Sequence, residues 1–265
     1  MVTSAAVEPL IATRDPERRR VERAMGTMIS LHIPDGGASS AVADAAFDWL
    51  YEVDRRFSPF RPGNEVSRLM RGQIPDGEVS ADLAEVLEIA DVVHILSDGA
   101  FDIRRHRDDG APDPTGVVKG WSIDRASTIL QAGDITRFYL SAGGDVLVRG
   151  GQAPGIPWKV GIGHPEARDA VALVLEAENL AVATSGTTER GHHIVDARTA
   201  TVADELLSVT VAGPSLARAD GYATAAFAMG HEGLRWVDSL PGYAAAGITH
   251  DGRLVTTRGL ERYWA

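Results

Sequence analysis

An acid and a hydroxyl stand four residues apart in Asp220-Gly-Tyr-Ala-Thr224. On a helix that spacing puts both side chains on one face, a turn apart. Both are hard oxygen donors, the kind that Mg²⁺ takes while keeping some water and bridging to phosphate; the pair also reads as an ordinary helix surface. In Asp113-Pro-Thr-Gly-Val-Val-Lys-Gly120, a glycine that lets backbone approach a ligand precedes Lys119 at a helix start. There the helix dipole assists a phosphate contact. The spacing is not that of a P-loop, and a plain loop-to-helix junction is the default reading. Ser141-Ala-Gly-Gly-Asp145 lacks the third glycine of a dinucleotide fingerprint and reads by default as a structural turn, or else as backbone pressed on a ligand. Finally, Thr184-Ser-Gly186 leads to the adjacent His192 and His193. On a strand these two point to opposite faces. One of them can act as general base for a hydroxyl, or the pair packs against polar neighbours.

Composition narrows the classes. The 265 residues carry 26 Lys and Arg against 37 Asp and Glu, a formal charge of −11. That balance argues against nucleic acid and against an anionic membrane surface as partners. The absence of cysteine removes disulfides, thiolate metal sites, cysteine nucleophiles and a lipid-anchor thiol. No window has the run of apolar residues needed to span a membrane, and the first residues do not read as a signal peptide. The expectation is a cytoplasmic protein without a membrane anchor, with a mobile arm over 1–24 and one domain over 25–265.

The elements that must position these residues follow from periodicity and caps. Met28 to Ile33 reads as a strand. Ser39 or Ser40 caps a helix whose inner face is Val42, Ala46, Trp49, Leu50, Val53 and Phe57. Ser80 caps a second helix, ended near Gly99; Phe101 to Gly116 reads as a loop; Lys119 to Ala132 is a third helix stopped at Gly133. Short apolar runs then alternate with turns from Phe138 to Ala212. Ser215 caps a helix to Met229, and His250-Asp251-Gly252-Arg253 separates two hairpin strands. Helices early and strands late predict an α+β fold.

Taken in order, these segments carry a resemblance. Met25-Gly-Thr27, Phe57-Ser-Pro-Phe60, Asp98-Gly-Ala-Phe-Asp102, Asp113 to Gly120 with Ile123-Asp124, Ser141 to Asp145, Pro157-Trp-Lys-Val-Gly-Ile162, Thr184-Ser-Gly186, His192-His-Ile194, Ser208-Val-Thr-Val211 and Ala219 to Thr224 fall in the sequence typical of one family. The chain resembles the ApbE family, the FAD:protein FMN transferases, over about residues 25 to 257. The resemblance implies an ApbE-like fold that binds FAD and Mg²⁺. It implies transfer of FMN to a threonine hydroxyl of a client flavoprotein bearing a Ser/Thr-Gly-Ala-Thr-type motif, with AMP leaving.

Carried over by position, Asp220 and Thr224 are implied as side-chain Mg²⁺ ligands and Gly116 as a backbone ligand. Asp113 and Lys119 are implied on the FAD. Met25, Phe60, Ala100, Phe101, Asp102 and Ile194 are implied as walls of the flavin or adenosine pocket, and His193 as the base. The chain departs from the family pattern in the short stretch between Phe101 and Lys119, in Phe101-Asp-Ile-Arg104, and in Asp196-Ala-Arg-Thr-Ala200. A more open FAD pocket is expected from that shortening. An FAD pyrophosphatase and a non-catalytic FAD-binding protein are the alternatives to transfer.

Overall fold

The computed structural model describes residues 17–104, 111–187 and 194–265. In chain order these form β1 (Arg19–Ala24), β2 (Thr27–His32), α1 (Ala41–Phe57), α2 (Glu65–Leu69), α3 (Ala81–Leu96), α4 (Thr115–Ala132), β3 (Phe138–Ala142), β4 (Asp145–Arg149), β5 (Trp158–His164), β6 (Ala167–Ala177), β7 (Leu180–Gly186), β8 (Val195–Asp196), β9 (Thr201–Val202), β10 (Ser208–Gly213), α5 (Leu216–Met229), α6 (His231–Asp238), β11 (Ala244–Ile248) and β12 (Leu254–Thr256). An eight-stranded antiparallel sheet runs β1-β2-β3-β4-β7-β10-β11-β12. The fold is α+β, as expected.

Three layers follow from the two-residue period of the strands. Leu147 on β4, Ala181 and Ala183 on β7, and Val209 and Val211 on β10 belong to the core shared with the helices. Their neighbours Val146, Val148, Leu180, Val182 and Ala212 belong to a second core, closed by Trp158, Val160, Ile162 and Leu175 of the β5–β6 hairpin. Burial on both faces is why these strands read as apolar runs rather than as alternation.

The serine caps hold. Ser40, Ser80 and Ser215 each accept a backbone N–H three residues on, from Ala43, Leu83 and Arg218. Two expectations need correction. The helix expected from Lys119 begins at Thr115, because Asp113 Oδ1 accepts from both Thr115 N and Thr115 Oγ1, at 3.1 and 2.7 Å. The preceding loop is correspondingly shorter. The arm expected over 1–24 also ends early, since Arg19–Ala24 pair in register with β2. Arg20 binds Asp44 of α1 at 2.6 Å and lies over the Phe47 ring at 4.3 Å, fixing a strand whose charged, edge-type sequence hides it. Residues 1–16 lie outside the described part. No helix among the described residues is long and apolar enough to cross a membrane.

Candidate active site

A cavity of about 800 Å³ opens between the helical layer, the sheet and the tip of the β5–β6 hairpin. Every implied site residue that the structure describes lines it: Met25, Phe60, Ala100, Phe101, Asp102, Asp113, Gly116, Lys119, Ile194, Asp220 and Thr224. His192 and His193 fall outside the described residues.

The polar floor is built from two helices and a strand turn. Lys119, in the second turn of α4, directs Nζ to Asp220 Oδ2 of α5 at 3.2 Å and also contacts Asp145 Oδ2 at the start of β4. The Asp145 side chain is 2% exposed and that of Asp220 13%. Neither Oδ2 atom has a further hydrogen-bond partner. A turn beyond Asp220, Thr224 Oγ1 lies 3.1 Å from Ser185 Oγ of β7. Asp145, which in sequence reads as part of a turn, joins this floor. The turn is real: Gly143 and Gly144 both have positive φ, 56° and 89°, and a side chain at Gly143 would strike Thr27 Oγ1 at 2.9 Å. The turn also delivers the Asp145 carboxylate to the floor, where Oδ1 accepts from Thr184 N at 3.2 Å. An acid directly after a glycine pair at a strand end was the available signal.

A buried carboxylate and a partly buried one, whose Oδ2 atoms meet only the Lys119 ammonium, stand beside a hydroxyl, a donor set that fits a hard divalent cation. No group of three or more carboxylate, imidazole or thiol ligands exists among the described residues. A cation here would complete its shell with water or a ligand's phosphate, which matches the habit of Mg²⁺. The N-terminus of α4 points its dipole at the same space, suited to an anion beside Lys119.

The apolar wall comes from segments pinned to the helices. Met25 has φ 52° in a two-residue turn with Gly26, and its N–H donates to Asp54 Oδ1 of α1 at 3.0 Å. Asp54 also binds Arg61 at 2.9 Å, holding the Ser58–Gly63 loop at the lip. Phe60, on that loop, is 91% exposed. Phe101 is buried, its carbonyl 2.9 Å from His94 Nδ1, while Ala197 N donates to Ala100 O and brings Ile194 alongside. One side is thus apolar and aromatic, and the other carries Lys119 between two carboxylates.

The ApbE family profile matches residues 25–107 and 104–247, the two segments meeting within the short Phe101–Lys119 stretch. An FAD:protein FMN transferase of Vibrio cholerae is 32% identical over 130 residues, 45% of this chain but only 39% of the relative. The Haemophilus influenzae protein of the same name is 22% identical over 276 positions, covering 79% of this chain and 80% of the relative. Among solved structures, flavin transferase ApbE of V. cholerae superposes with a TM-score of 0.78 at 22% identity, covering 92% of this chain and 98% of that one. The apo flavinyl transferase ApbE of Pseudomonas stutzeri gives 0.79 at 20% identity, covering 93% and 96%. These structures share the fold, and with a family profile running through most of its length the chain belongs to the ApbE family.

Proposed function

We propose that this protein transfers FMN from FAD to a threonine hydroxyl of a client flavoprotein, with Mg²⁺ bound and AMP released. The observation that carries the reading is the meeting of Lys119, Asp145 and Asp220 on one polar floor of the cavity, facing its apolar wall. The names of the relatives, FAD:protein FMN transferases, support it. Asp220, Thr224 and the Gly116 backbone are the proposed Mg²⁺ ligands, with Asp145 facing the same cation. When bound, the ion neutralises charge on the pyrophosphate. Lys119 binds the phosphates as a second positive charge, and Met25, Phe60, Ala100, Phe101, Asp102, Asp113 and Ile194 enclose the rest of FAD. His193 takes the acceptor proton as the threonine oxygen attacks the FMN-side phosphorus. The bridging P–O bond breaks, and its electron pair leaves with AMP. No nucleophile is needed from this chain, because the client supplies it.

The test is incubation with FAD, Mg²⁺ and a client carrying a Ser/Thr-Gly-Ala-Thr-type motif. The proposal expects AMP together with flavin fluorescence that stays on the denatured client. AMP with an unlabelled client would assign a pyrophosphatase instead, and neither product would leave an FAD-binding protein.

A further inference from the structure

Lys119 and Asp220 come from helices far apart in sequence, and their 3.2 Å approach depends on how α4 lies against α5. Two contacts decide that. Gly120, next to Lys119, meets the α5 backbone so closely that a Cβ there would sit 2.7 Å from Leu216 O and 2.8 Å from the Ala217 Cα. Asp124, just over a turn further along α4, reaches the start of α5. Its Oδ2 accepts from Ser215 Oγ at 2.8 Å and from Ala217 N at 2.9 Å, and its Oδ1 accepts from Leu216 N at 3.0 Å. Both contacts fall on Ser215 to Ala217, so two tie points fix where the first turn of α5 meets α4. The glycine sets the separation of the axes, and the carboxylate sets their register.

We infer that Asp124 is a positioning residue of the site, holding Lys119 opposite Asp220 by capping the helix that bears Asp220 and Thr224. The inference rests on the function proposed above. A slip of one residue along a helix is about 1.5 Å, enough to take a 3.2 Å contact out of hydrogen-bonding range. Asp124 touches neither the cavity floor nor Lys119, so it acts only through the placement of α5. Burial raises its carboxyl pKa, while the three α5 donors and Arg149 oppose that rise, as expected of a carboxylate committed to this one task.

The test uses Asp124→Asn and Ser215→Ala in the full chain. In Asp124→Asn an amide N–H must face a donor of α5. Direct Mn²⁺ binding followed by electron paramagnetic resonance should weaken about tenfold or more, a loss comparable with that of a well-placed metal-site support. The rate of flavin transfer at saturating FAD should fall with it, while KM for FAD moves less than about threefold, because the apolar wall is untouched. Ser215→Ala removes one of the three bonds and should show the same split at smaller size. A folded Asp124→Asn protein with a lower thermal midpoint but unchanged Mn²⁺ affinity and rate would overturn the inference, leaving a purely structural cap. Should Asp124→Asn fail to fold, Ser215→Ala decides alone, and wild-type Mn²⁺ affinity in that variant would overturn the inference. If the unmodified protein neither binds Mn²⁺ nor transfers flavin, the functional reading itself falls, and this inference with it.

Discussion

Asp145→Asn probes the least expected residue of the site. The substitution keeps Oδ1 for the Thr184 N–H but replaces Oδ2 by an amide N–H that faces the Lys119 ammonium. Breaking a buried ion pair costs about 3–5 kcal/mol when the surviving charge is stranded. Lys119 is not stranded, since its side chain is 29% exposed and retains Asp220 at 3.2 Å. The loss is therefore closer to that of a single charge-assisted hydrogen bond, about 2 kcal/mol. For a chain of this size that is roughly 4–8 °C in thermal midpoint. Removing one of two anionic donors should also weaken Mn²⁺ binding by about tenfold, near 1.4 kcal/mol. Scanning fluorimetry with and without Mg²⁺, and a Mn²⁺ titration, read both effects. An unchanged or raised midpoint would mean that the two carboxylates repel each other more than Lys119 binds them. Unchanged Mn²⁺ affinity would remove Asp145 from the cation site.

Lys119→Ala should weaken FAD by about tenfold or more, the loss of one charge-assisted phosphate contact, and riboflavin far less; equal losses in a fluorescence titration would mean that Lys119 acts through the fold. His193→Ala should lower transfer by roughly 10²–10⁴-fold with FAD binding retained, whereas His192→Ala should cost much less. Loss of FAD binding in His193→Ala would make that residue a pocket wall. Half-buried His32 packs edge-on against Trp158 of the β5–β6 hairpin, and burial, then the charges of Arg19 and Arg18, lower its pKa. Its neutral form is the one the fold favours, so its contribution to stability is complete above the ordinary histidine pKa and lost as pH falls below it. The thermal midpoint of His32→Phe should accordingly gain on that of the unmodified protein from pH 7.5 to 5, and parallel curves would contradict this.

What was legible in the chain was mostly local. Ser40, Ser80 and Ser215 could be read as caps because a hydroxyl three residues before a free N–H satisfies it whatever the surroundings. Asp220 and Thr224 could be read as a pair because helical spacing alone puts them together. β1 was not legible, since Arg19–Ala24 has the charge of an edge strand and depends on distant Asp44 and Phe47. The short helices α2 and α6 were missed as well; α6 follows α5 across Gly230, whose φ of 62° redirects the chain at once. Asp145 was half legible. Its glycine turn follows from sequence, but its place beside Lys119 depends on the packing of α4 over β3 and β4. The second core was hidden for the same reason, because apolar runs do not reveal that the β5–β6 hairpin covers the far face.

Flavin transfer at this polar floor yields two products in fixed ratio, and their stoichiometry is the most direct test of the proposed reaction. AMP released and flavin covalently bound to the client threonine would be quantified together, by chromatography and mass spectrometry, for the unmodified protein and for Asp220→Ala. The proposed reaction requires one AMP for each flavinylated threonine, and loss of both products in a folded Asp220→Ala protein. AMP formed without labelled client, or both products formed at the full rate by Asp220→Ala, would contradict it.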